Sequence, residues 1–310
     1  MRRVDEGSFT TGAGYVKAVG SKVTKKFEVG DPVLLSFDHC TKCTQCRTGH
    51  PAYCDLFNPL NLGGEAATFK GADGDVTGQF FGQSSFASLT AVKETSLVNV
   101  KGLIKDEDEL KLFAPMGCGF QTGAGTVVNL AAATSEDSVV VLGLGGVGSA
   151  AILVGQHSNS RCYGKGLLID RRQAAKIVGC QKVIGVDRVK SRLELAKTLG
   201  ATDCLDTSSA DLNIVEEVKK LTGGEGSRIV IDTTGVPALI EAGLEFAASR
   251  GKLIFIGVPP SDYSLSVHVL TAIKVRLLSV SARSLAKAGG DRVSVRTELL
   301  TSIIHRRGDS

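Results

Sequence analysis

Four cysteines fall within fifteen residues, at Cys40, Cys43, Cys46 and Cys54, in the spacing Cys-x2-Cys-x2-Cys-x7-Cys. Thiolates three positions apart turn inward from a tight loop toward one tetrahedral ion, and a fourth ligand arrives from further along the chain, so the run points to zinc. The rival reading is an iron–sulfur site. A ferredoxin run closes with a three-residue gap and a proline after the last cysteine, whereas Asp55 follows Cys54 here. Unligated thiols are the bland alternative. Lys42 and Arg47 are the cations between these ligands, too few for the basic face that a nucleic-acid-binding zinc module requires. Cys180 and Cys204 fit no ligand spacing and read as small core residues, while Cys162 stands apart from them.

A second chemistry-bearing stretch is Gly143-Leu-Gly145-Gly146-Val147-Gly148, preceded by the β-branched run Ser138 to Leu142 and followed by the helix formers Ala150 to Leu153. Strand, glycine turn and helix in that order hold a dinucleotide pyrophosphate on the free N–H groups at the positive end of a helix. The same pattern calls for an acidic residue about 20 positions past the last glycine, at the end of the next strand, to bind ribose hydroxyls. Two residues compete: Asp170, at 170 − 148 = 22, and Asp187, at 187 − 148 = 39. Asp187 closes the apolar run Lys182 to Val186 and leads into an amphipathic segment, Lys190 to Gly200, which favours it. Gly155 to Gln173 is rich in Gly, Ser, Asn and Arg and lacks periodicity; without its 173 − 155 + 1 = 19 residues, Asp187 stands at 39 − 19 = 20. The segment therefore reads as an insert in the crossover.

The elements that must position these residues follow from the pattern of the chain. Its 310 residues, 43% hydrophobic and 22% charged, suffice for about two domains. The net charge, 36 − 32 = +4, is spread without a basic block, which argues against nucleic acid and anionic lipid and for a small-molecule partner. The uncharged run Ser138 to Ser160 is broken by glycines and reads as a buried strand and turn, so no membrane span is expected. A charged start without an apolar stretch behind it leads to the expectation of no secretory leader and a cytoplasmic setting. Gly14 to Val100 is strand-and-turn material. Beyond a boundary near residue 115, strands and helices alternate: helix 214–221, strand 228–232, helix 238–248, strand 252–257 and strand 276–280. The expected fold class is α/β: a mainly β domain at 1–115, a doubly wound parallel sheet at 116–285, and a tail at 286–310.

Taken together, the Cys loop, the phrase Pro115-Met-Gly-Cys118-Gly-Phe-Gln-Thr122-Gly, the turn Gly143 to Gly148 and Val186-Asp187 resemble the zinc-containing medium-chain alcohol dehydrogenases. Phe80-Phe-Gly-Gln-Ser-Ser-Phe-Ala87 is similar to the aryl- or benzyl-alcohol branch. The likeness runs from Gly12 to Ser281, apart from the insert. It implies a GroES-like domain carrying a structural zinc on Cys40, Cys43, Cys46 and Cys54, and a Rossmann domain binding NAD. Hydride transfer between an alcohol and NAD at a second, catalytic zinc, in a homo-oligomer, is also implied.

The resemblance also assigns residues. Cys118 matches one catalytic-zinc ligand, and Thr122 lies against the nicotinamide. Gly143, Gly145, Gly146, Val147 and Gly148 take the pyrophosphate, Asp187, Arg188 and Arg192 face the adenosine ribose, and Thr233, Gly235, Gly257 and Val258 line the far wall. A carboxylate at Asp187 favours NAD over NADP, although Arg188 offsets its charge. The chain departs from the pattern in two ligands. The family's Gly-His-Glu-Gly-Ala-Gly phrase is Phe9-Thr10-Thr11-Gly12-Ala13-Gly14 here, with Thr10 at the His position, and the remaining Cys ligand would precede Met1. The expectation is a zinc-dependent, NAD-linked dehydrogenase of a primary alcohol, with a non-turning-over NAD- and zinc-binding protein as the alternative.

Overall fold

The computed structural model describes residues 12–62, 69–71, 74–76, 81–83, 85, 88–156, 178–209 and 211–279. The chain divides into two units between Gln121 and Thr122, a few residues beyond the boundary expected near residue 115.

In the first unit β1 (Gly12–Tyr15) and β2 (Pro32–Leu35) pair antiparallel. The Cys run follows, with the short helices α1 (Thr44–Arg47) and α2 (Phe57–Asn61). The hairpin β3 (Phe69–Gly71) and β4 (Gly74–Val76) comes next, and β5 (Leu97–Asn99) completes a three-stranded antiparallel sheet in the order β1-β2-β5. Helix α3 (Glu107–Phe113) is capped by the Asp106 carboxylate, which accepts the Glu109 N–H at 2.8 Å and satisfies one of the donors a helix start leaves open. Helix α4 (Gly119–Gly125) carries the chain into the second unit.

The second unit follows the alternation of the sequence closely. Its elements are β6 (Ser138–Leu142), α5 (Gly146–Gln156), β7 (Lys182–Asp187), α6 (Lys190–Leu199), β8 (Asp203–Asp206), α7 (Ile214–Leu221), β9 (Ser227–Asp232), α8 (Pro237–Glu245), β10 (Ala247–Phe255), α9 (Val269–Lys274) and β11 (Arg276–Ser279). All pairs are parallel, in the order β11-β10-β9-β6-β7-β8. Alternate residues of each strand separate into two cores. Val139, Val141, Val183, Ile229 and Ile231 join Ile152 of α5 and Leu193 of α6 on one face. Val140, Leu142, Ile184, Val230 and Leu253 join Val218 of α7 on the other. Burial on both sides explains why these strands read as unbroken apolar runs.

The helix expected at 238–248 ends at Glu245, not at residue 248, and the following strand starts at Ala247, not at residue 252. Phe246 and Ala248 are buried, and the Phe246 carbonyl accepts the Ser227 N–H at 2.8 Å, so the backbone there is satisfied by the sheet and leaves the helix early. The pairing with β9 is irregular between Ala247 and Lys252, where Arg250 takes a left-handed φ of 67°. The expected insert, 155–173, lies mostly outside the described residues, as do Asp170, Cys162 and the tail. At its margins the Cys180 N–H donates to the Gly155 carbonyl at 2.8 Å, so α5 and the approach to β7 meet directly.

Candidate nucleotide and metal sites

Strand order reverses between β6 and β9, and an open parallel sheet has its binding crevice at such a point, beyond the carboxyl ends of the strands. Gly143 leaves β6 at φ 87°, and its missing Cβ would lie 2.6 Å from the Thr233 hydroxyl oxygen. A side chain at Gly148 would sit 1.9 Å from the Gly143 carbonyl, so this glycine lets α5 press onto the strand end. Gly145 differs: a Cβ there meets no atom within 4 Å. Two glycines thus serve the turn and the packing, and the middle one keeps open space at the mouth of an eleven-residue helix. That is the space a pyrophosphate needs to reach backbone N–H groups, so the loop fits a dinucleotide. Gly146 and Val147 form the first turn of α5. The Val147 carbonyl is where a Cβ on Gly123 would fall, at 2.0 Å, so Thr122 and Gly123 of α4 abut that turn. Thr122 itself is buried, and its carbonyl accepts the Thr126 hydroxyl at 2.8 Å.

Asp187 closes β7, beside β6, and is buried. Its Oδ2 accepts the Leu144 N–H from inside the glycine turn at 2.7 Å, and its Oδ1 accepts the N–H groups of Arg188 at 2.8 Å and Val189 at 2.9 Å. The Arg192 guanidinium stands 3.6 Å from Oδ2, whereas the Arg188 side chain is exposed. Helix α6, which carries Arg192, stops at Gly200, left-handed at φ 110°, whose N–H returns to the Ala196 and Lys197 carbonyls.

On the other side of the crevice the Thr233 hydroxyl donates to the carbonyls of Leu142 and Gly143, both at 2.9 Å. Gly235 and Gly257 touch backbone to backbone, since a Cβ on Gly257 would lie 2.1 Å from the Gly235 nitrogen. Val258 beyond them is 89% exposed. The residue that organises this wall was missed in the sequence: Asp232, fully buried at the end of β9. Its carboxylate accepts the Thr234 N–H at 3.0 Å, the Thr234 hydroxyl at 2.6 Å and the Gly235 N–H at 3.0 Å. A lone acid closing the apolar run Ile229 to Ile231 is the signal that pointed to it.

In the first unit the four Sγ atoms of Cys40, Cys43, Cys46 and Cys54 lie within 4.8 Å of one another, and Cys40 and Cys46 are 3.9 Å apart. Arms of about 2.3 Å around a tetrahedral zinc place sulfurs about 3.8 Å apart, so the quartet fits the ion. N–H groups already point at the sulfurs, from Cys40 to Cys54 and from Cys43 to Cys40 at 3.3 Å each, and from Cys46 to Cys43 at 3.5 Å. The N–H groups of Cys43 and then Lys42 push the Cys40 thiol down to about 6. Burial first, and then the neighbouring thiols, push Cys46 up to about 12, and burial raises Cys54. Such a cluster resists carrying four negative charges alone, and a divalent cation removes that resistance. His50 is turned away, with Nδ1 2.8 Å from the Thr48 carbonyl, and His39 is not part of the ligand set. Cys180 and Cys204 belong to or pack against the core on the α5 face, and burial pushes Cys180 up to about 11.

Cys118 follows a tight turn, Ala114–Gly117, in which a Cβ on Gly117 would strike the Leu35 carbonyl at 1.8 Å. The Ser36 hydroxyl and the Gln121 amide both donate to the Gly117 carbonyl at 2.7 Å, fixing the backbone before the thiol. Among the described residues Cys118 joins no group of three metal-ligating side chains, and Thr10 lies outside them. A catalytic metal needs three protein ligands and an open position, so these residues do not make that site.

The fold and the crevice define a nucleotide-binding dehydrogenase with a GroES-like first unit. Residues 10–102 match the alcohol dehydrogenase GroES-like domain and residues 172–290 the zinc-binding dehydrogenase domain. A protein of Pseudomonas sp named "Probable alcohol dehydrogenase" is 34% identical over 268 residues, covering 85% of this chain and 76% of the relative. A geraniol dehydrogenase of Castellaniella defragrans is 33% identical over 285 residues, 90% of this chain and 68% of the relative. The crystal structure of benzyl alcohol dehydrogenase from Acinetobacter calcoaceticus superposes with a TM-score of 0.72 at 32% identity, covering 95% of this chain and 72% of that one. The chain belongs to the zinc-containing medium-chain alcohol dehydrogenase family, whose members are alcohol oxidoreductases that use zinc and a nicotinamide nucleotide. Among the described residues no helix is long and apolar enough to cross a membrane.

Proposed function

We propose that the chain moves a hydride between a primary alcohol, aromatic by preference, and NAD, with Gly143 to Gly148, Asp187 and Arg192 holding the nucleotide and the four clustered cysteines holding a structural zinc. The observation that supports this reading is the joining of the glycine turn to the buried carboxylate closing the next strand by the Leu144 to Asp187 hydrogen bond. When bound, NAD supplies the hydride acceptor.

The chain's own residues bind and orient. The open face at Gly145 admits the diphosphate, Asp187 accepts from the ribose, and Thr233, Gly235, Gly257 and Val258 border the space beyond β6 and β9. Thr122, beside the first turn of α5, is assigned to the nicotinamide side, and Arg188 to the rim of the adenosine side. Support for an aromatic substrate comes from the benzyl alcohol dehydrogenase neighbour and the Phe80 to Ala87 phrase. Reduced thiolates in the quartet favour a cytoplasmic setting, and the family resemblance a homo-oligomer.

The test is NADH absorbance after benzyl alcohol is added to the protein with NAD. NADH formation that depends on the alcohol supports the reading. NAD binding without any NADH from benzyl or aliphatic alcohols would replace it with a nucleotide- and zinc-binding protein that does not turn over.

A further inference from the structure

The cysteine quartet is held by a residue outside it. Asn61, the last residue of α2, is buried, and its side-chain amide spends every donor on the two ends of the Cys loop. Nδ2 donates to the Asp38 carbonyl and to the Phe57 carbonyl, both at 2.9 Å, and Oδ1 accepts the Asp38 N–H at 2.8 Å. Asp38 precedes Cys40 by two positions. Phe57 follows Cys54 by three, and its N–H donates to the Cys54 carbonyl at 2.9 Å. The Asn61 carbonyl also takes the Phe81 N–H at 2.7 Å. One amide therefore fixes the segment that delivers Cys40 relative to the helix that follows Cys54, and these are the cysteines joined by the Cys40 N–H to Cys54 Sγ contact.

The entry side is braced as well. The buried Asp38 carboxylate accepts the His39 N–H at 2.7 Å and the Thr95 hydroxyl at 2.5 Å, and lies 3.0 Å from the Lys93 ammonium. A loop of fifteen residues closes on a metal only if its ends are brought together, and closing them in advance lowers the entropy lost on binding.

We infer that Asn61 is a positioning residue for the structural metal, holding Cys40 and Cys54 at ligand spacing; the inference rests on the reading of the quartet as a zinc site. Partners behind metal ligands typically change affinity by about 10–100-fold when removed. Zinc transfer from the purified full chain to a chromophoric chelator is the measurement, with cobalt(II) substituted in parallel to report thiolate geometry through its charge-transfer band. Asn61→Ala and the isosteric Asn61→Asp, which lacks both donors, are expected to release zinc at least about tenfold faster and to shift the cobalt band. Asn58→Ala, on the exposed side of the same helix, is expected to match the wild type. By reciprocity, stripping zinc from the wild type is expected to speed amide exchange at Asp38 and Phe81, a readout that needs no variant. Release from both Asn61 variants within about twofold of the wild type, or exchange at Asp38 and Phe81 untouched by zinc, would overturn the inference. A wild-type chain carrying no zinc would instead overturn the quartet reading on which it rests.

Discussion

Asp187 at the end of β7 accepts the Leu144 N–H at 2.7 Å across 43 positions of sequence, binding the carboxylate that closes the strand and the glycine turn into one unit. Leu144 and Asp187 are both buried, so the bond is a charge-assisted one shielded from water. Replacing Asp187 with Gly removes the proposed ribose acceptor and orphans the Leu144 N–H. Hydrogen bonds to charged groups contribute about 1.5–3 kcal/mol, which corresponds to NAD affinity weakened at least about tenfold, with preference for NAD over NADP lost. Fluorescence titration checks this. The same titration on Asp170→Gly is expected to give the wild-type value.

The glycines of the turn separate into two kinds. Gly148→Ala forces a methyl to 1.9 Å from the Gly143 carbonyl, and is expected to cost about 1–3 kcal/mol of stability or more, with Tm lowered. Gly145→Ala meets nothing within 4 Å in the protein, and is expected to keep Tm while weakening NAD. Thermal melts with and without NAD separate the two, and a Gly145→Ala chain with wild-type NAD affinity would remove the diphosphate from that space.

Asp232 is fully buried with three donors on its carboxylate. Asp232→Ala leaves those donors unpaired, each at about 1–3 kcal/mol, and the expected loss is at least about 2 kcal/mol in urea unfolding. Asp262→Ala, exposed in the loop before α9, is expected to stay within about 0.5 kcal/mol.

Asp31 ties the first unit to acid. Its carboxyl is held below the ordinary 3.8, first by the Glu28 N–H and then by the Lys101 ammonium and the Asn99 amide. With the folded value depressed, the unfolded chain takes up the proton first as pH falls. The stabilisation is therefore complete above the ordinary value and is lost as pH drops through the folded one. Urea midpoints measured from about pH 6 down to about pH 3 are expected to fall less steeply in Asp31→Asn than in the wild type. Equal slopes would show that Asp31 carries no such linkage.

Much of this was legible in the sequence for physical reasons. Buried parallel strands such as Val139 to Leu142 must be apolar throughout, and Gly200 marks the end of its helix by its own bonding, so α6 was placed within a residue. The quartet was legible because its ligands are close in sequence. Helix α8 ran long in the sequence reading because Phe246 and Ala248 suit either a helix or a buried strand, and the Ser227 contact that decides between them is not local. Asn61 went unread for a related reason: it is an isolated polar residue whose partners are backbone groups, which carry no residue-specific sequence signal; Asp232 had its signal in the apolar run that it closes, but its bonds to Thr234 and Gly235 form only in the fold.

Equilibrium titration of the wild-type chain with NAD and with NADP tests the central claim most directly, because it asks whether the turn and Asp187 form a working nucleotide site. The account predicts saturable NAD binding at about one per chain, at least about tenfold tighter than NADP. No binding of either, or tighter binding of NADP, would contradict it.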